Sequence, residues 1–248
     1  IIDKVLTKEN PTSTIDKELN DVFSNSIFKE IPPDFELTEN KRFVDAVSEG
    51  LFLKMKEDPS TIIMGQDIAD YGGVFKVTEG FLEEFGEDRV RNTPITESAV
   101  IGTALGLSME GYKPIVEMQF ADFVSNGFNQ IINNLAKTHY RWGKGVNVTL
   151  RLPTGGGIGA GPFHSQSNES WFFHTPGLKI VYPSNPFDAK GLMLSAIEDN
   201  NPVLYFEHKG LYRSIKEDIP QKSYNIELGK LKVINEGSDL TIVTYGLG

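Results

Sequence analysis

At 248 residues, with 39% hydrophobic and 23% charged residues, the chain has an ordinary globular composition and is long enough for one large or two small domains. The absence of cysteine excludes disulfides, thiolate zinc sites and cysteine nucleophiles. A net charge of −10 argues against nucleic acid or an anionic membrane as the main partner, and no apolar run is long enough to span a bilayer.

Residues 1–40 hold nine acids against four lysines, so half of the excess charge sits in a sixth of the chain. With Pro11, Pro32 and Pro33 and one short helical pattern, IDKELNDVFSNSIF, this segment reads as an acidic tail or linker. From Lys41 the pattern is regular. KRFVDAVSEGLFLKMKED places Phe43, Val47 and Leu51 at helical spacing; TIIMG is an apolar strand; TEGFLEEFG is a short helix ending at Gly86; RVRNTP is a strand. A helix of small residues opens near Glu97, followed by the strand KPIVEMQ and one long helix, FVSNGFNQIINNLAKTHYRW. NVTLRLP and KIVYP are strands, PFDAKGLMLSAIEDN is a helix with Pro186 in its first turn, and PVLYFEH is a strand. This alternation predicts an α/β fold, a parallel sheet covered on both faces that binds ligands at the carboxyl ends of its strands. GSDLTIVTYGLG reads as the first strand of a further α/β unit.

The candidate motifs need sorting. TGGGIGAGPFHSQ meets the G-x-G-x-x-A spacing at Gly155, Gly157 and Ala160. Pro162 follows where a helix would have to open, and the next strand ends without a carboxylate, so a dinucleotide fingerprint is rejected. WGKGV lacks the hydroxyl residue of a phosphate loop, and there is no HExxH. By its local pattern Glu97 is an ordinary first-turn acid, stabilised by the helix N-terminus and capped by Thr96 or Ser98. His164, just beyond a loop with five glycines, is open to a structural or a functional reading.

GQDIADYGGVFKVTEGF, NTPITESAVIGTALG, EMQFADFVSNGFNQIINNLAK, FHSQSNESWFFHTPGLKIVYPSNPFDAKGL and SAIEDNNPV occur in this order from Lys41 onward. Together they resemble the β subunit of the thiamine-diphosphate-dependent 2-oxoacid dehydrogenases, with EMQFADF and NNPVLYFEHKGLYR nearer the branched-chain members. The resemblance implies a three-layer thiamine-diphosphate-binding fold over residues 41–236, a transketolase-type pyrimidine domain. It implies that 237–248 begins a C-terminal transketolase-type domain and that 1–40 ends an α-type segment of an α–β fusion. It further implies oxidative decarboxylation of a branched-chain 2-oxoacid with acyl transfer to a lipoyl carrier. The same chemistry on pyruvate, or a non-catalytic interaction domain, are the alternatives.

Thiamine diphosphate would be shared with an α-type partner carrying magnesium on a Gly-Asp-Gly motif, which this chain lacks. The isolated chain is therefore expected to be inactive. A second β-type chain in a heterotetramer and a lipoyl acyltransferase component are the further implied partners, in the bacterial cytoplasm or a mitochondrial matrix. By the same resemblance Glu97 would hydrogen-bond a ring nitrogen of the aminopyrimidine. That role suits an acid with no basic neighbour until Lys113, because a salt bridge would tie up its carboxylate. Phe123, where the branched-chain pattern carries tyrosine, would pack on the aminopyrimidine ring, and His164 would handle a proton or the lipoyl thiol. A structural potassium site falls on Val146, Val148, Thr149, Ala196, Asp199 and Asn201. Gln66 stands where the family carries an acid, which implies a weakened proton relay between paired sites.

Overall fold

The computed structural model describes residues 2–10 and 12–248; Ile1 and Pro11, both in the expected tail, lie outside the described residues. In chain order the elements are α1 (Ile2–Leu6), α2 (Ile15–Asn20), β1 (Thr38–Arg42), α3 (Phe43–Glu57), β2 (Thr61–Gly65), α4 (Phe81–Phe85), β3 (Val90–Asn92), α5 (Glu97–Met109) and β4 (Lys113–Glu117). There follow two irregular helical turns, then α6 (Ala136–Trp142), β5 (Thr149–Thr154), β6 (Lys179–Val181), α7 (Pro186–Glu198), β7 (Val203–His208) and β8 (Lys216–Pro220). Six strands make one parallel sheet in the spatial order β3-β2-β4-β5-β7-β6.

The apolar strand runs are explained by this placement, because each central strand is covered on both faces. The pleat sends alternate side chains to opposite sides. Ile63, Ile115, Val203 and Tyr205 join a core with α3, α4 and α7, whereas Ile62, Met64, Val116, Leu150 and Phe206 join a second core with α5 and the helical segment 121–142. Helix α7 starts at an Asn185 cap that accepts from Asp188 N, with Pro186 at its first position. It crosses α3 closely: a Cβ on Gly50 would lie 3.4 Å from Lys190 O. Lys190 is fully buried there, and its ammonium donates to Pro220 O, Gln221 O and Glu49.

The structure differs from expectation in four places. The helix expected from Lys41 begins at Phe43, because Thr38–Arg42 pairs antiparallel with β8 in a separate ribbon. The expected tail is also strapped to the domain. Asn201 exchanges hydrogen bonds with Ser24, Asn225 does so with Lys29 and Ile31, and Phe35 stacks on Phe187. The single long helix over 123–142 is instead a 3-10 turn (Ala121–Gly127), a π turn (Gln130–Leu135) and then α6. Within this segment Gly127 lets the turn pack against α5 more closely than any other residue could, because a Cβ there would collide with the side chain of Ile101. Finally, 237–248 forms no strand: Leu240, Ile242 and Val243 stay exposed, while Tyr245 packs on Tyr182 just beyond the edge strand β6.

One charged cluster lies inside the sheet. Arg151 on β5 donates from Nε and Nη2 to the two oxygens of Glu207 on β7, both at 2.8 Å, and also pairs with Glu117 on β4. Tyr212 Oη donates to Glu207 at 2.7 Å, and all four residues are buried. Burial raises the pKa of Glu117 against the pull of Arg151. Burial also works against the charge on Arg151, but Glu207 and Glu117 outweigh it and hold its pKa above the ordinary value. Removing the cation would leave two carboxylates buried beside each other. Arg151→Met is expected to cost about 3–5 kcal/mol of unfolding free energy in urea titrations, and Arg151→Lys, which keeps charge but not the bidentate fork, less.

Candidate active site

The carboxyl ends of β2, β4, β5 and β7 carry the polar residues of interest. Glu97 is the first residue of α5 and is buried, with 7% of its surface exposed. Thr96 occupies the capping position without capping; its hydroxyl donates weakly to Pro94 O at 3.4 Å. Gln66, directly after β2, donates from Nε2 to Glu97 Oε1 at 3.4 Å, and no cation lies within 4.0 Å of Glu97 among the described residues. The contact at Gly127 seats the turn against the start of α5. A cleft of about 420 Å³ opens there, lined by Glu97, Ala99, Gly102, Asn126 and Gln130. A buried carboxylate without a counter-ion, facing amides and small residues, fits a neutral heterocycle that offers it a ring nitrogen.

Phe123 and His164 are brought together, away from the lining of that cleft. The His164 ring meets Phe120 edge-on at 4.6 Å and Phe123 at 5.5 Å between centroids. Asp122 fixes the approach: its Oδ1 accepts from the backbone N–H of Ser165 and of Gln166, both at 3.1 Å. Asn168 ties the same loop to Ala121 O at 2.8 Å. The root of the loop is Gly155, at φ +84°, where any Cβ would collide with the ring of His208. The turn Ala121–Gly127 therefore serves both groups, with Phe123 on one and Asn126 on the other.

Sequence reasoning passed over Lys209, which follows β7. It is 4% exposed, its ammonium has no hydrogen-bond partner, and it stands 5.4 Å from the centre of the Phe120 ring. Burial draws its pKa down to about 8 against the opposing charge of Asp122. The only sequence signal was a lysine closing an apolar strand, where a solvated end is the ordinary reading.

The six residues expected around potassium do gather where β5 begins and α7 ends. Thr149 Oγ1 donates to Ala196 O at 3.2 Å, and Asp199 Oδ1 accepts from Asn201 N at 2.9 Å. Their polar side chains are already paired. Lys179 holds Asp199 Oδ2 at 2.5 Å, and Ser24 takes both ends of the Asn201 amide. Val148 O accepts from Val203 N within the sheet. A cation here would rest on second lone pairs of carbonyls, not on side chains. No cluster of three or more His, Cys, Asp or Glu suited to a metal occurs among the described residues.

Comparison with known proteins fits this geometry. The chain is 46% identical over 205 residues to the pyruvate dehydrogenase E1 component subunit beta of Staphylococcus aureus strain N315, a match covering 82% of this chain. It is equally similar, 46% over 207 residues and 83% of this chain, to the 2-oxoisovalerate dehydrogenase subunit beta of Bacillus subtilis strain 168. Both are β subunits of the kind the motifs resemble, and their equal identity does not separate branched-chain from pyruvate specificity. The chain spans 63% of the length of each of these curated relatives. A solved split-gene transketolase, described as an inactive β4 tetramer, superposes with a TM-score of 0.54 over 66% of this chain and 50% of that one; at 20% identity it speaks for the fold alone. The model of the transketolase pyrimidine-binding domain matches residues 40–215, from the ribbon through all six strands of the parallel sheet, and this chain belongs to that family.

Proposed function

We propose that the chain supplies the aminopyrimidine half of a thiamine-diphosphate site in an enzyme that oxidatively decarboxylates a 2-oxoacid and passes the acyl group to a lipoyl carrier. A branched-chain 2-oxoacid is the favoured substrate and pyruvate the alternative. The observation that carries the reading is Glu97, a buried carboxylate at the carboxyl ends of a parallel sheet with no cation to neutralise it. When bound, thiamine diphosphate supplies a nucleophilic carbon and an electron sink. Glu97 would hold a proton at a ring nitrogen of the aminopyrimidine, with Gln66 fixing one of its oxygens. Phe123 would give that ring an apolar face, and His164, on the glycine loop, would move a proton at the substrate side.

The diphosphate and magnesium would fall to an α-type partner, because the chain lacks the Gly-Asp-Gly motif by which such a partner holds them. A second β-type chain and a lipoyl acyltransferase complete the assembly, which we place in the bacterial cytoplasm. Gln66, in contact with Glu97, cannot itself carry a proton, so a relay between paired sites would be weaker than with an acid at this position.

Two measurements test this reading. In the intact parent protein, reduction of an artificial electron acceptor is followed with 3-methyl-2-oxobutanoate and with pyruvate. Glu97→Gln is expected to lower the rate by about 10²–10⁴-fold with the preferred substrate. Full activity in that variant would return Glu97 to an ordinary first-turn acid. Thiamine diphosphate and magnesium titrated into the chain alone are expected to bind weakly, and tight magnesium-dependent binding would contradict a divided site.

A further inference from the structure

A second polar spot, set apart from the Glu97 cleft, surrounds Lys209. Among the described residues eight buried side-chain polar atoms lack a hydrogen-bond partner, and four of them belong to this one spot: Lys209 Nζ, His164 Nδ1, Asp122 Oδ2 and Asn168 Oδ1. Their concentration sets them apart from scattered packing imperfections, because buried polar groups in folded proteins are nearly always paired. The most costly is the ammonium, which has neither a hydrogen bond nor a carboxylate within 4.0 Å. Asp122 lies close enough to act on its charge, but its Oδ1 is taken up by Ser165 N and Gln166 N and it does not pair with the lysine. The ring of Phe120 contacts both side chains, with Lys209 Nζ 5.4 Å from its centre and the His164 ring edge-on at 4.6 Å. Phe120 follows β4, His164 follows β5 and Lys209 follows β7, so the spot is at the ligand-binding end of the sheet. The loop 157–161, which leads into His164, is exposed.

We infer that Lys209 and His164 form a receptor for a small oxyanion, and that the oxyanion is the carboxylate of the 2-oxoacid. The identity of the anion rests on the function proposed above; the receptor itself rests on the unpaired groups. Lys209 donates to one carboxylate oxygen, and His164 Nδ1, in its protonated tautomer, donates to the other. Asp122 Oδ2 and Asn168 Oδ1 take the water that accompanies the anion. A receptor of this kind keeps a charge buried and unpaired when empty, so it weakens the empty protein in exchange for affinity.

The test uses the intact chain without thiamine diphosphate or partner, and reads melting temperature and calorimetric binding. The probes are 3-methyl-2-oxobutanoate, pyruvate and inorganic phosphate. The 2-oxoacids are expected to raise the melting temperature of the wild type. Lys209→Met is expected to melt higher than wild type when empty, yet to bind the 2-oxoacids at least tenfold more weakly, while Lys209→Arg retains binding. Tighter binding of phosphate than of either 2-oxoacid would keep the receptor and overturn its assignment to the substrate carboxylate. Equal binding by wild type and Lys209→Met, or binding of no anion by wild type, would overturn the receptor. Because no turnover is read, failure here leaves the Glu97 assignment standing, and failure of the Glu97→Gln assay leaves this site standing.

Discussion

The bidentate pairing of Arg151 with Glu207, extended to Glu117, is the constraint on which the rest of the site depends. It ties together β4, β5 and β7 just below their carboxyl ends. Each of those ends then launches one component: the turn with Phe120 and Phe123 from β4, the glycine loop with His164 from β5, and Lys209 from β7. The loop after β2 passes close by, since a Cβ on Gly73 would lie 3.1 Å from Glu117 Oε1. Buried ion pairs often contribute little net stability compared with apolar replacements. What the planar guanidinium adds is direction, because its fork accepts a carboxylate in one orientation only. A hydrophobic contact of similar size would leave the strand ends freer to slide.

Above that floor the chain keeps two opposite charges apart. Glu97 is an acid without a cation, and Lys209 is a cation without an acid. They lie by the two groups that share one seven-residue turn, Ala121–Gly127, whose Phe123 packs with His164 and whose Asn126 faces Glu97. Had the fold let them meet, each would have neutralised the other. Gly127 seats the turn against α5, where any larger residue would meet Ile101.

Much of the architecture was legible because it rests on local patterns. TIIMG, KPIVE and VLYFEH are apolar where strands are covered on both faces, and Asn185 with Pro186 marks the start of α7. The ribbon was illegible because TENKR and KEDIP are mostly polar and find each other across 178 residues at Asn40 and Asp218. The change from 3-10 to π to α winding over 121–142 left no local mark, because the apolar spacing there is that of a single helix. GSDLTIVTYGLG has the alternation of a strand but pairs with no strand among the described residues. In the site, Phe123 and His164 were marked by motif and are in contact, whereas Lys209 carried no local sign of burial. The six residues named by motif lie where β5 begins and α7 ends, but Lys179 and Ser24, which occupy their side chains, come from distant parts of the chain.

The pairing of β1 with β8 has a bearing on how the protein is made. The ribosome releases Thr38–Arg42 long before Lys216–Pro220 exists. At ordinary elongation speeds the wait is on the order of ten to forty seconds. Throughout it the segment before β1 has neither its strand partner nor the asparagines that later clasp it, and Phe23 and Phe35 have nothing to pack on. Nine acids against four lysines make that stretch repel its own kind. The same acidic excess opposes association between two such stretches while β1 still lacks its partner.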